Sequence, residues 1–102
     1  MKLFDLSDRV AIVTGGNGGI GLAMAEGMAQ AGASVMIAAR DADKGAAAVA
    51  KLEALGAQAA FITVDVSDDA ACQSMITDTV ARFGRLDILI NNAGTNIRKQ
   101  PE

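Results

Sequence analysis

The chain has 102 residues, and among them there is no histidine, no tyrosine, one cysteine and one proline. A single thiol, Cys72, cannot close an internal disulfide, and without histidine or paired cysteines a zinc site has no ligand set, so no metal is expected. Acid–base chemistry within these residues would fall to Asp, Glu, Lys, Arg or Cys. The net charge is −3 with no basic stripe, which argues against nucleic acid as a partner. No apolar run is long enough to span a bilayer, so no membrane partner is expected either. The opening MKLFDLSDR carries charge throughout, unlike a signal peptide, and a cytoplasmic, reducing compartment is the expected setting. What is present is a folding composition, 51% hydrophobic and 21% charged, on a length that suits one small domain.

Apolar runs alternate with helical stripes. RVAIVT (9–14), SVMIAA (34–39), QAAFITV (58–64) and LDILIN (86–91) read as strands. Between the first two, Ile20, Ala23, Met24, Gly27, Met28 and Ala31 fall at helical spacing, and Gly32 is the expected stop. Residues 41–55 are alanine-rich and helical, closed by Gly56. Ser67 or Asp68 can cap a third helix whose stripe is Cys72, Met75, Ile76, Thr79, Val80 and Phe83, ending at Gly84. The remaining NAGTNIRKQPE reads as loop, and Pro101 is the only proline.

This is a βαβαβαβ pattern. Strands that are apolar at nearly every position suit a parallel sheet covered on both faces, hence an α/β fold of the Rossmann-type, doubly wound class. If strands one to three run outward in one direction, right-handed crossovers put the first two helices on one face; strand four then returns past strand one with the third helix on the other face, giving strand order 3-2-1-4. The winding then reverses between strands one and four, and ligands bind at the carboxyl ends of strands at such a point.

TGGNGGIG (14–21) joins the first strand to the first helix, and five of its eight residues are glycine. A helix start offers unpartnered N–H groups and the positive end of a dipole. A pyrophosphate satisfies both where no Cβ holds it away. Gly16, Gly18 and Gly21 fit G-x-G-x-x-G, while Gly15, Gly19 and Gly21 fit G-x-x-x-G-x-G. The bland alternative is a tight turn that binds nothing. A P-loop is excluded because no Gly-Lys-Ser/Thr follows.

TGGNGGIG, then DV at 65–66 after strand three, then NNAG at 91–94 after strand four, together resemble the short-chain dehydrogenase/reductase family. The resemblance covers nearly the whole chain and favours the register Gly15, Gly19, Gly21. It implies a nicotinamide dinucleotide as cofactor. Gly15, Asn17, Gly18, Gly19, Ile20 and Gly21 would line its pyrophosphate and adenosine ribose. Asp65 would accept a hydrogen bond from the adenine amino group, with the Val66 backbone beside it. Asn92, Ala93 and Gly94 would pass along the cofactor ribose, and Thr14 and Asn91 would tie the ends of strands one and four together. By itself Asp65 reads as a turn or cap residue.

The family resemblance also places the end of strand two at the adenosine ribose. An acidic residue there would favour a free 2′-hydroxyl, but Ala39 closes the strand and Arg40 follows. A guanidinium pairs with a 2′-phosphate, so the expected cofactor is NADP, with NAD possible. Arg40 as a solvated loop charge is the alternative, and Asp41 complicates the reading because a shift of two positions would make it a ribose ligand.

The family uses a serine and a Tyr-x-x-x-Lys pair for proton transfer, and this chain has no tyrosine. No catalytic residue is therefore assigned. Cys72 reads as core and Asp68 and Asp69 as helix-start carboxylates. Residues 1–102 are expected to be the amino-terminal, cofactor-binding part of a single domain in a longer enzyme, one that interconverts a small-molecule alcohol and ketone and is a homotetramer by resemblance. The uncovered fourth strand is expected to make the isolated segment associate. The tail NNAGTNIRKQPE resembles family members acting on sugar acids, of the gluconate 5-dehydrogenase type, with Arg98 a candidate for a substrate carboxylate. Two other readings remain: a dinucleotide-binding module without chemistry, and an α/β domain for FAD or an adenosylated methyl donor, which would not require NNAG.

Overall fold

Alternation along each strand sends side chains to opposite faces of the sheet, and here both faces are apolar. In the computed structural model, which describes residues 5–15, 19–65 and 67–92, four strands form: β1 (Val10–Thr14), β2 (Ser34–Ala39), β3 (Ala59–Thr63) and β4 (Ile88–Asn91). The helices between them are α1 (Gly19–Gln30), α2 (Ala42–Ala54) and α3 (Asp69–Phe83). All pairings are parallel and the order is β3-β2-β1-β4, as expected. Val10 lies opposite Ser34, Val35 opposite Ala59, and Ala11 opposite Ile88.

The two faces hold separate cores. Val13, Val35 and Ile37 pack with Ala25 and Ala29 of α1 and with Ala48 and Leu52 of α2. Ile12, Met36 and Ala38, one position out of step, pack instead with Met75 of α3. All five residues of β1 are buried, as are Val35–Ala39 of β2, which fits their central place in the sheet. Burying side chains such as Ile12, Ile37 and Leu52 fully contributes about 1.5–3 kcal/mol each. β4 is an edge strand whose Leu89 is exposed.

Helix boundaries follow local chemistry. Asp41 caps α2 by accepting from Lys44 N–H at 3.0 Å, with Asp43 in the first turn and Lys51 in the last, each matched to the dipole. Asp68, one of the two cap candidates, caps α3 through Ala70 N–H at 2.9 Å and Ala71 N–H at 3.2 Å. α1 and α2 end on the same pair of backbone bonds. Gly32 N–H reaches Ala29 O while Ala33 N–H reaches Met28 O; Gly56 N–H reaches Glu53 O while Ala57 N–H reaches Leu52 O.

The buried face of α1 departs from expectation. The spacing of its larger apolar residues points to Ile20, Ala23, Met24, Gly27, Met28 and Ala31. The residues that are buried are Gly21, Ala25 and Ala29, while Ile20, Ala23 and Gly27 are exposed. Small residues at every fourth position let the helix axis approach the sheet closely, so the contact stripe is the small one. In α3 the expected stripe stands except at Val80, which is exposed. Buried Thr79 donates its hydroxyl to Met75 O at 2.7 Å.

Candidate functional site at the carboxyl edge of the sheet

β1 and β4 are laced together where they end. Thr14 Oγ1 donates to Ile90 O at 3.3 Å and to Asn91 Oδ1 at 3.1 Å, the tie the two residues were expected to make. The chain leaves β1 through Gly15, whose N–H reaches Ala38 O of β2 at 2.7 Å and whose φ is +67°. α1 starts at Gly19, also left-handed at +57°.

Gly21 closes the arrangement. It is buried, and a Cβ placed on it would overlap Gly15 O and stand 2.7 Å from Asn92 Nδ2. The first turn of the helix, the exit from β1 and the residue after β4 therefore meet at one point, with no volume left for a methyl group. Gly15, Gly21 and Asn92 are thus brought together. Among the described residues nothing lies within 4 Å of a Cβ added at Gly19, and Ile20 beside it is 72% exposed.

The three helix starts differ in charge. α2 and α3 each have an aspartate cap and a further aspartate in the first turn, whereas the first turn of α1 has no acidic residue. Its amide dipoles lack the carboxylate that the other two helices have. An anion entering at Gly19–Gly21 would meet backbone donors and no acid in the first turn of the helix. Among the described residues, the backbone at Gly19 and the acid-free first turn of α1 suit an anionic group.

A second group lies at the ends of β2 and β3. Val64 N–H binds Ala39 O at 2.9 Å, which brings Arg40 and Asp65 to the same edge, and Arg40 Nη2 stands 3.5 Å from Asp65 Oδ1. Both side chains are exposed, at 77% and 51%, so the pair is loose and water-screened. Asp65 Oδ1 also accepts from the Ser67 hydroxyl at 2.6 Å and from Ser67 N–H at 3.0 Å. The Ser67 hydroxyl, then its N–H, hold the Asp65 carboxyl below the usual carboxylate range; desolvation opposes them, and Arg40 adds to the lowering. Asp41 points its carboxylate into the cap of α2, which gives it a structural task and weakens its claim to a ribose.

Of the expected site residues, Gly15, Gly19, Ile20, Gly21, Arg40, Asp65 and Asn92 stand along this edge. Asn17, Gly18, Val66, Ala93 and Gly94 lie outside the described residues, as do Gly16, Arg98 and the tail. Two residues went unread in the sequence. Ser67 reads in the sequence as a cap candidate, yet both its donors serve Asp65. Asp87 accepts from Val10 N–H at 2.9 Å while its own N–H binds Val10 O at 2.9 Å, so it staples β4 to the start of β1. Arg85 grips it at 2.7 and 2.9 Å, and Arg9 stands 3.6 Å away. The bonds from Arg85, then the one from Val10 N–H, depress the Asp87 carboxyl below its usual range. A charged residue at the mouth of an apolar run was the available signal.

A cleft of about 500 Å³ opens at the opposite edge, among Ser7–Val10, Gly56–Gln58, Phe83 and Arg85. It lies at the amino ends of the strands, where Arg85 is already bound by Asp87, and it contains none of the expected site residues. Among the described residues no helix is long and apolar enough to cross a membrane, and no cluster of three potential metal ligands occurs.

Comparison with known proteins agrees with the fold. Residues 9–102 match the family model for short chain dehydrogenases. The chain is 44% identical over 93 residues to the rhamnolipids biosynthesis 3-oxoacyl-[acyl-carrier-protein] reductase of Pseudomonas aeruginosa, covering 91% of this chain and 36% of that protein. Among solved structures, a short-chain type dehydrogenase/reductase from Mycobacterium ulcerans superposes with a TM-score of 0.86 at 37% identity, over 92% of this chain and 35% of that one. Actinorhodin polyketide ketoreductase with NADPH gives a TM-score of 0.81 at 34% identity, over 84% and 33% respectively. The chain thus spans little more than a third of the length of the curated relatives it matches.

Proposed function

Since the chain belongs to the short chain dehydrogenase family, we propose that it is the amino-terminal, dinucleotide-binding part of an NAD(P)-dependent oxidoreductase that interconverts an alcohol and a ketone. The observation that carries the reading is the three-way contact of Gly15, Gly21 and Asn92 at a helix start whose first turn has no acid. In this reading the amides at Gly19–Gly21 take the pyrophosphate, together with Asn17 and Gly18. Ile20 covers an apolar part of the ligand. Asp65 and Val66 meet the adenine, and Asn92, Ala93 and Gly94 pass along the ribose nearer the nicotinamide. The bound nicotinamide supplies the hydride chemistry. The proton would come from residues outside these 102, since the chain has no tyrosine.

NADP is the favoured form. Arg40 is the exposed cation at the end of β2, and the carboxylate that would oppose a 2′-phosphate, Asp41, is turned into its own helix cap. The neighbour described with NADPH supports the same choice. The names of the relatives, a 3-oxoacyl reductase and a ketoreductase, favour a carbonyl substrate. A sugar acid, suggested by the tail, is a narrower proposal within that class, and a homotetramer is the proposed assembly.

Calorimetric titration of the intact protein with NADPH and NADH tests the proposal. Binding of NADPH tighter than NADH, with the difference lost in Arg40→Ala, is expected. Binding of neither would refute it. Binding without turnover of any ketone by the intact protein would favour the non-catalytic module instead.

A further inference from the structure

Asp65 has three donors on one oxygen. The Ser67 hydroxyl, the Ser67 N–H and Arg40 Nη2 all address Oδ1, at 2.6, 3.0 and 3.5 Å. Among the described residues no donor reaches Oδ2, and the side chain is 51% exposed. A carboxylate on a short, exposed side chain is free to rotate about χ2 unless something fixes its plane. Here one residue grips one oxygen twice, through backbone and side chain, which sets the plane and dedicates the oxygens to different tasks.

We propose that Ser67 is a positioning residue for purine recognition: by holding Oδ1 of Asp65, it presents Oδ2 as a fixed acceptor for the exocyclic amino group of adenine. This rests on the dinucleotide reading of the site. The bond at 2.6 Å has the length of a charge-assisted O–H···O⁻ contact, so it also favours the ionised carboxylate, which is acceptor-only. An ionised, fixed Oδ2 accepts from an amino group and repels a carbonyl oxygen in the same place. The site would then discriminate adenine from hypoxanthine, in which that amino group is replaced by oxygen. Ser67 would contribute by preorganisation and would not touch the ligand itself. Its cap function is not needed, because Asp68 already caps α3.

The test compares dissociation constants of the intact protein for NADPH and for its hypoxanthine analogue, in the unsubstituted protein and in Ser67→Ala and Ser67→Thr. The unsubstituted protein is expected to prefer the adenine form. Ser67→Ala should shrink that preference about three- to tenfold, the range for the net contribution of one ordinary hydrogen bond. Ser67→Thr, which keeps the hydroxyl, should retain it. Without ligand, the pH titration of the Asp65 carboxyl carbon by NMR should move upward in Ser67→Ala, and thermal unfolding of both variants should stay close to that of the parent. A preference that survives Ser67→Ala unchanged, or equal weakening of both ligands, overturns the role of Ser67 alone. Failure of the unsubstituted protein to bind either dinucleotide overturns the dinucleotide reading and the role of Ser67 with it.

Discussion

Two glycines of α1 should respond to the same substitution with opposite sign. At Gly21, a methyl group would overlap Gly15 O, stand 2.8 Å from Gly15 C and 2.7 Å from Asn92 Nδ2. Two of those three atoms belong to backbone that is itself tethered, since Gly15 N–H is bound to Ala38 O at 2.7 Å. Neither can yield by a side-chain rotation, so the helix start must shift away from the sheet. Overpacking of this kind costs about 1–3 kcal/mol, or more where backbone must move. The gain in helix propensity on replacing glycine offsets about 0.8–1 kcal/mol of that. At Gly27 an added Cβ meets nothing within 4 Å among the described residues, and the residue is exposed. There only the propensity gain remains, about 0.8–1 kcal/mol in favour of folding. Urea unfolding of the intact Gly21→Ala and Gly27→Ala proteins should therefore show the first midpoint lowered and the second raised, with similar slopes. The Gly21→Ala protein should also bind NADPH more weakly, because the helix start proposed to hold the phosphates has moved. Equal stabilisation by both substitutions would refute the close approach on which the site rests.

Further outcomes are open to measurement. Arg40→Ala should weaken NADPH binding about tenfold while changing NADH binding little, and the difference should shrink as salt rises, because an exposed guanidinium acts through a screened field. Leu52→Ala should destabilise by about 2–5 kcal/mol in chemical denaturation, since Leu52 is fully buried under α2 and leaves a cavity. Asp87 has a depressed folded-state pKa, so its contribution is present above its unfolded value, about 3.9, and is lost as pH falls through the folded one. Asp87→Asn should accordingly flatten the loss of stability with acid below about pH 4, as read from urea midpoints against pH.

Much of the architecture was legible from local pattern. Apolar runs rich in Val and Ile predict the strands to within a residue or two. The glycines at 32, 56 and 84 mark the helix stops, and Asp68 marks a start. The order 3-2-1-4 follows from right-handed crossovers once the first three strands run outward in one direction and both sheet faces must be covered. The face of α1 was not legible, because spacing weighted by size points to Ile20 and Met24, whereas close packing selects Gly21, Ala25 and Ala29. Arg40 could be named as a candidate, but its meeting with Asp65, 25 residues on, depends on two strands lying side by side.

The sequence by itself determined what acts over one or two turns of chain: strand alternation, caps, stops and the glycine-rich opening of α1. Those choices involve neighbours a few residues apart, whose spacing is covalent. The tertiary structure decided which oxygen of Asp65 is held, that Asp41 serves its helix, and that Asp87 closes onto Val10 across 77 residues. Those outcomes depend on the packing of separate elements against one sheet, where a fraction of an ångström selects glycine and a single bond selects an oxygen.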